Sequence, residues 1–147
     1  MDEKTKNIIL LNCESYEFFK TELLSVEQEY FDALEELLAV AGNFTDMILE
    51  PKDYSDDPII ITKLKTARSW GEKYINISMK FESEMQDMVR LAPELRDSEI
   101  EFEGVKDRFL FVSDYIDELE QTLLLQYKMR DCIEKQLKLF KGFERYE

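Results

Sequence analysis

Carboxylates are the only side chains in this sequence numerous and closely spaced enough to suggest chemistry. Glu29, Asp32, Glu35 and Glu36 fall within about two helical turns, and Asp114, Asp117, Glu118 and Glu120 form a second such group. Two acidic groups facing each other would hold Mg²⁺ through oxygen ligands and set it against a phosphoryl group. Everything else that such a site draws on is missing. With no histidine, the commonest general base and metal ligand is absent, and so is every Ser/His or Cys/His arrangement. Cys13 and Cys132 lack CxxC spacing, and zinc needs more Cys or His than the chain has. Glycines 42, 71, 104 and 142 are too scattered for a phosphate-binding loop. Both acidic groups fall on the polar arcs of the helical pattern described next, where a charge run is ordinarily a solvated face. The expectation is a non-enzyme without catalytic, metal-binding or cofactor-binding residues.

The elements that carry these side chains are read from apolar residues recurring at alternating spacings of three and four. One seam runs Tyr16, Phe19, Leu23, Val26, Tyr30, Ala33, Leu37, Val40, Phe44 and Met47. A second runs Ile60, Leu64, Ala67, Gly71, Tyr74, Ser78, Phe81, Met85 and Met88. A third runs Phe102, Val105, Phe109, Val112, Ile116, Leu119, Leu123, Gln126, Arg130, Ile133, Leu137 and Phe140. Such seams belong to helices packed lengthwise on one another. The pattern predicts an all-α single domain of three long helices near 8–49, 58–91 and 98–144, forming an elongated antiparallel bundle with coiled-coil-like packing. Residues 1–13 are either the opening turns of the first helix or a short separate segment. Gly42-Asn43 weakens or kinks that helix, and Pro51 ends it. Asp57-Pro58 reads as a cap followed by proline at the first helical position. Ala92-Pro93 closes the second helix, and Asp97 or Ser98 caps the third. No strand or hairpin signal appears.

Two helices are more apolar than a three-helix packing requires. On the first, Leu34, Ala41 and Ile48, then Leu24, Phe31 and Leu38, widen the seam to about half the circumference. The opposite arc carries Glu22, Glu29 and Glu36 at heptad spacing, with Asp32 and Glu35 alongside. On the third helix Gln126 and Arg130 interrupt the seam, and Leu125, Met129, Cys132, Leu139 and Phe143 form a parallel line beside it. This predicts either that the apolar face shifts around the helix after about residue 124, or that the line is buried against another chain. In the second case Leu125, Met129, Cys132, Leu139 and Phe143 are the expected self-association or partner surface. Trp70 reads as core.

Charge narrows the partner class. The formal net charge is −14, with eleven acids against three lysines in residues 1–49 and six bases against four acids in residues 121–147. Direct binding to nucleic acid or an anionic membrane is disfavoured by that balance. No apolar run exceeds the five residues Leu37 to Ala41, far too short to span a membrane or serve as a signal sequence, so the expected location is cytoplasmic with reduced thiols.

The long-helix pattern resembles that of BAR domains, and the resemblance implies a dimeric bundle that works at membranes. No residue is carried over from that family, and the acidic balance here is opposite to the positive concave face such domains turn to lipid. The residues themselves point to a protein–protein interaction module, a subunit, adaptor or small regulator, with a protein partner or a homodimer as its assembly. The rival reading is an acidic inhibitor, such as a phage-type factor directed against a host or its defences. Glu22, Glu29, Asp32, Glu35 and Glu36 would then mimic nucleic-acid phosphates in the basic groove of another protein; rows at heptad spacing repeat about every 10 Å.

Overall fold

The computed structural model describes residues 3–95 and 111–144. These are almost wholly helical, with no strand among them: α1 (Glu3–Ala41), α2 (Phe44–Leu49), α3 (Pro58–Glu84), α4 (Gln86–Leu95) and α5 (Val112–Glu144). The all-α expectation holds. The count of three is corrected to five among the described residues.

Gly42 sits at φ 80°, the left-handed region that ends helices, and its N–H reaches back to the Leu38 carbonyl at 2.7 Å. Asn43 is extended and caps α2, its side chain accepting from the N–H groups of Thr45 (2.8 Å) and Asp46 (3.2 Å). The expected kink is therefore a full stop and restart. Pro51 opens a short 3₁₀ turn, Pro51–Asp53. Asp57 Oδ1 then accepts from the Ile59 N–H at 2.9 Å, so Asp57-Pro58 starts α3 as read from the sequence. Met85 lies in a turn between α3 and α4, although its N–H still bonds the Phe81 carbonyl at 3.0 Å. Pro93, expected to mark the helix end, lies inside α4. It forfeits only the bond from its own nitrogen, close to the terminus. At the other end, α1 begins at Glu3, earlier than expected, so residues 3–13 are helical. The expected caps Asp97 and Ser98 and the seam positions Phe102, Val105 and Phe109 lie outside the described residues.

The chain divides into two compact units, and α1, α3 and α5 each contribute residues to both. The first contains residues 3–22, 77–95 and 111–128. Its core is Ile9, Cys13, Tyr16, Phe81, Met85, Met88, Val112, Tyr115, Ile116 and Leu119, each at most 1% exposed. Aromatic rings organise it: Tyr16 lies edge-on to Tyr115 at 5.6 Å, and Phe81 packs within 6.2 Å of Tyr16 and 5.8 Å of Phe19.

The second unit contains residues 23–76 and 129–144. Leu23, Val26, Tyr30, Leu37, Met47, Ile60, Leu64, Tyr74, Ile133, Leu137 and Phe140 fill its core. Gly71 is buried where α3 comes close to its neighbours; a Cβ there would meet Leu137 and Tyr30 at 3.0 Å and Ile133 at 3.2 Å. Tyr30 donates to Gln136 Oε1 at 2.5 Å, and Phe44 meets Phe140 at 6.5 Å, so the chain advances in the same sense along both paths.

The expected shift of the apolar face on α5 is corrected. Gln126 stays buried on the seam, and Ile133, Leu137 and Phe140 continue it. A glutamine is tolerated there because Ser78, fully buried opposite it, donates to its Oε1. Val40 leaves the seam and is exposed, while Ala41 turns inward at the last residue of α1.

Candidate functional site

Two arrangements stand out, one in each unit. In the first, a polar network crosses the core. Tyr115 donates to Asn12 Oδ1 and also lies in hydrogen-bond contact with the Cys13 thiol. Tyr16 donates to Glu118 Oε2 at 2.6 Å and meets the Thr122 hydroxyl at 2.9 Å. Lys20 stands 3.9 Å from Glu118 and over the Tyr16 ring. Burial pushes the Cys13 thiol up to about 12 and raises the Tyr16 and Tyr115 phenols above their ordinary range. These groups keep their protons at neutral pH and are closed to solvent, so the thiol is no nucleophile and the phenols are no bases. The network tethers helices.

The second arrangement is an outward flank of the second unit. Glu36 of α1 forms an ion pair with Lys63 of α3 at 3.0 Å, which fixes the side of α1 that faces α3. Leu24, Phe31 and Leu38 lie on the opposite side of α1, by helical position. They remain 58%, 39% and 42% exposed. On α5, Gln136 reaches Tyr30 of α1. Met129, Cys132, Leu139 and Phe143 stand at −7, −4, +3 and +7 from Gln136 and so share its flank. Cys132 is close enough to raise the Tyr30 phenol further, beyond the effect of burial. The apolar row of α1 and the parallel line of α5 therefore border the same outward groove.

Placement of the expected partner residues is uneven. Cys132 and Leu139 are exposed, Met129 is half-buried, and Phe143 is buried at 2%. Leu125, 66% exposed, belongs to the first unit. Leu139 and Phe143 also line a depression of about 470 Å³ with Ile48, Leu49, Pro51 and Lys138. That hollow exists because Gly42 redirects the chain into α2, and Leu49 on its wall is 73% exposed. Sequence reasoning did not place α2 beside the end of α5. The Gly42-Asn43 pair was the available signal, once a full break was allowed.

The acidic row is less uniform than its spacing suggests. Glu29, Asp32, Glu35 and Glu36 are exposed in the second unit, whereas Glu22 is half-buried in the first. Asp32 accepts from Gln28 at 2.8 Å, and Glu36 is taken up by Lys63. Among the described residues, no group of three or more acidic or thiol side chains comes together in a metal-binding arrangement. Trp70 is half-buried rather than core, with the Lys73 ammonium 5.0 Å above its ring. It borders a shallow depression of about 440 Å³ with Thr62, Lys65, Thr66 and Ser69, all on α3.

No helix of the described residues is long and apolar enough to cross a membrane. Comparison with known proteins gives no match to a family model, to a curated protein or to a solved structure.

Proposed function

We propose that this protein is a non-catalytic interaction module that works by laying a helical apolar face against another protein. One observation carries the reading: Leu24, Phe31 and Leu38 of α1 and Leu139 of α5 stay exposed along a common flank of the second unit. Large apolar residues exposed singly need no explanation, but their recurrence at heptad spacing on one helix beside an exposed leucine of the next supports an interaction surface. The inert thiol and protonated phenols of the first unit fit a scaffold role. The architecture behind this proposal is the up-down-up, coiled-coil-like bundle expected from the seams, supported by the cross-helix pairs within each unit. An intracellular setting is part of the same proposal and rests on the sequence.

The acidic-inhibitor reading ranks second. Its row loses strength where Glu36 is spent on Lys63 and Glu22 is half-buried. Affinity capture from native lysate at low and high salt separates the two, using wild type, Phe31→Lys/Leu38→Lys and Glu29→Lys/Glu35→Lys. A partner retained at high salt and lost only with the Phe31/Leu38 variant is the expected result. A salt-labile partner lost only on charge reversal favours phosphate mimicry, since such contacts weaken steeply with salt. A protein that retains nothing at either salt overturns the proposal.

A further inference from the structure

Gly142 is a glycine that packing within this chain does not explain. A Cβ built on it meets nothing within 4 Å, whereas one on Gly71 would press on three side chains. It lies within α5, where glycine is a poor helix former, and it has no left-handed backbone to accommodate. What surrounds the missing side chain is the depression of about 470 Å³ in the second unit, which Gly142 helps to line. Three elements build that hollow: the end of α2 with Ile48 and Leu49, the 3₁₀ turn with Pro51, and the last turns of α5. Phe143 is buried beneath it, while Leu49 and Leu139 are uncovered apolar walls, 73% and 53% exposed. A side chain at 142 would enter this space, and glycine leaves it open.

The lining selects the chemistry of the ligand. Apart from Lys138 its side chains are apolar or absent, with no hydroxyl, amide or guanidinium among them. A sugar or nucleoside would leave its polar groups unmatched there. A phosphate, which calls for several donors, would find one ammonium. Lys138 supplies a hydrocarbon stem and a single positive point charge. Among the described residues no carboxylate pairs with it, in contrast to Lys63 with Glu36 and Lys135 with Asp131. The net charge of −14 penalises each further negative charge on a ligand. An apolar body with one carboxylate meets all of these conditions.

We propose that this hollow binds a small amphipathic monocarboxylate, its acyl chain against Leu49, Leu139 and Phe143 and its carboxylate on Lys138. The site goes beyond the interaction-module reading and uses none of the Leu24, Phe31 and Leu38 row. Its volume falls toward the lower end of ligand pockets, so a chain of about ten carbons is the size to test, with a Kd on the order of 0.1–1 mM.

Decanoate and uncharged decanol, titrated at neutral pH and followed by backbone amide chemical shifts, test the site. The proteins are wild type, Lys138→Glu, Gly142→Leu and Phe31→Lys/Leu38→Lys. Wild type should give saturable shifts centred on residues 48–51 and 138–143. Lys138→Glu should weaken decanoate about tenfold and leave decanol unchanged, since only the charged ligand meets the reversed side chain. Gly142→Leu should abolish both by filling the space. Positions 138 and 142 are exposed, so these variants should fold, and circular dichroism checks that they do. Phe31→Lys/Leu38→Lys should keep the decanoate shifts, so that failure of the flank and failure of the hollow are told apart. Shifts that never saturate, or that follow the flank and vanish in Phe31→Lys/Leu38→Lys, mean adventitious adsorption of the chain and overturn the inference. Equal weakening of decanoate and decanol by Lys138→Glu overturns it too, as does a folded Gly142→Leu that binds like wild type.

Discussion

Gly71 approaches its neighbours so closely that a Cβ built on it would lie 3.0 Å from Leu137 Cδ2. A side chain there requires Leu137, Tyr30 and Ile133 each to give by a few tenths of an ångström, although the position sits mid-helix where glycine is unfavourable by about 1 kcal/mol. Gly71→Ala should gain that propensity and lose more through overpacking, for a net loss of about 1–2 kcal/mol in urea unfolding. Gly142 gives the contrast. It lies in α5 with open space around its Cβ position, so Gly142→Ala should stabilise by about 0.5–1 kcal/mol. If both substitutions act in the same direction, the close packing around Gly71 is not what limits that site.

The seam along α3 and into α4 was fully legible in the sequence. Every residue assigned to it, from Ile60 to Met88, is buried, small and polar members included. Helical periodicity reports which face turns inward, and that face was read correctly even where Gly71 or Ser78 replaced a large apolar residue. Boundaries were harder. Gly42 ends α1 outright because a left-handed residue cannot continue the ladder, and composition does not separate a kink from a stop. On α5, Gln126 and Arg130 suggested a displaced face. The hydrogen bond from Ser78 that makes Gln126 acceptable in the core lies 48 residues away in sequence, beyond the reach of any local pattern.

That same pair supports a second prediction. Gln126 Oε1 is satisfied by Ser78, but its Nε2 is buried without a partner. An unmatched buried amide donor costs about 1–3 kcal/mol. Ser78→Ala should destabilise by a further amount on the order of 1 kcal/mol, because the carbonyl end then loses its donor as well. Ser78→Ala/Gln126→Leu should instead equal or exceed wild type in thermal melting, having removed both polar groups together. The two effects should be strongly non-additive, as expected for side chains in contact. Additive losses would mean that Gln126 is better solvated than its burial implies.

The candidate surface was half legible. The sequence singled out Leu24, Phe31 and Leu38 on one helix and Cys132 and Leu139 on another as surplus apolar residues, but as two separate excesses. Joining them takes the Tyr30–Gln136 bond and the Glu36–Lys63 pair, which fix how each helix is rotated. The rotation of one helix about its axis relative to another is a tertiary property that a single sequence does not display. Phe143 was assigned to the same line and is instead buried.

Alkaline pH should unfold this protein sooner than its lack of histidine and its many acids suggest. Burial raises Cys13 from 9.0 to about 12 and Tyr74 from 10.0 to about 12, and it also lifts Tyr16, Tyr30 and Tyr115 above 10.0. Each group holds its proton more tightly folded than unfolded, so the unfolded chain releases protons first as pH rises. The stability these groups contribute is complete below pH 9 and declines through the window between their unfolded and folded values. Each adds a slope of up to about 1.4 kcal/mol per pH unit there. Urea titrations followed by circular dichroism should give a midpoint that is flat from about pH 7 to about pH 9 and falls steeply beyond. Tyr115→Phe should lower the plateau by about 1–3 kcal/mol, since Asn12 loses its donor, and should also make the fall shallower. A midpoint that stays level to about pH 11 in wild type would show that these phenols and the thiol titrate alike in the folded and unfolded chain.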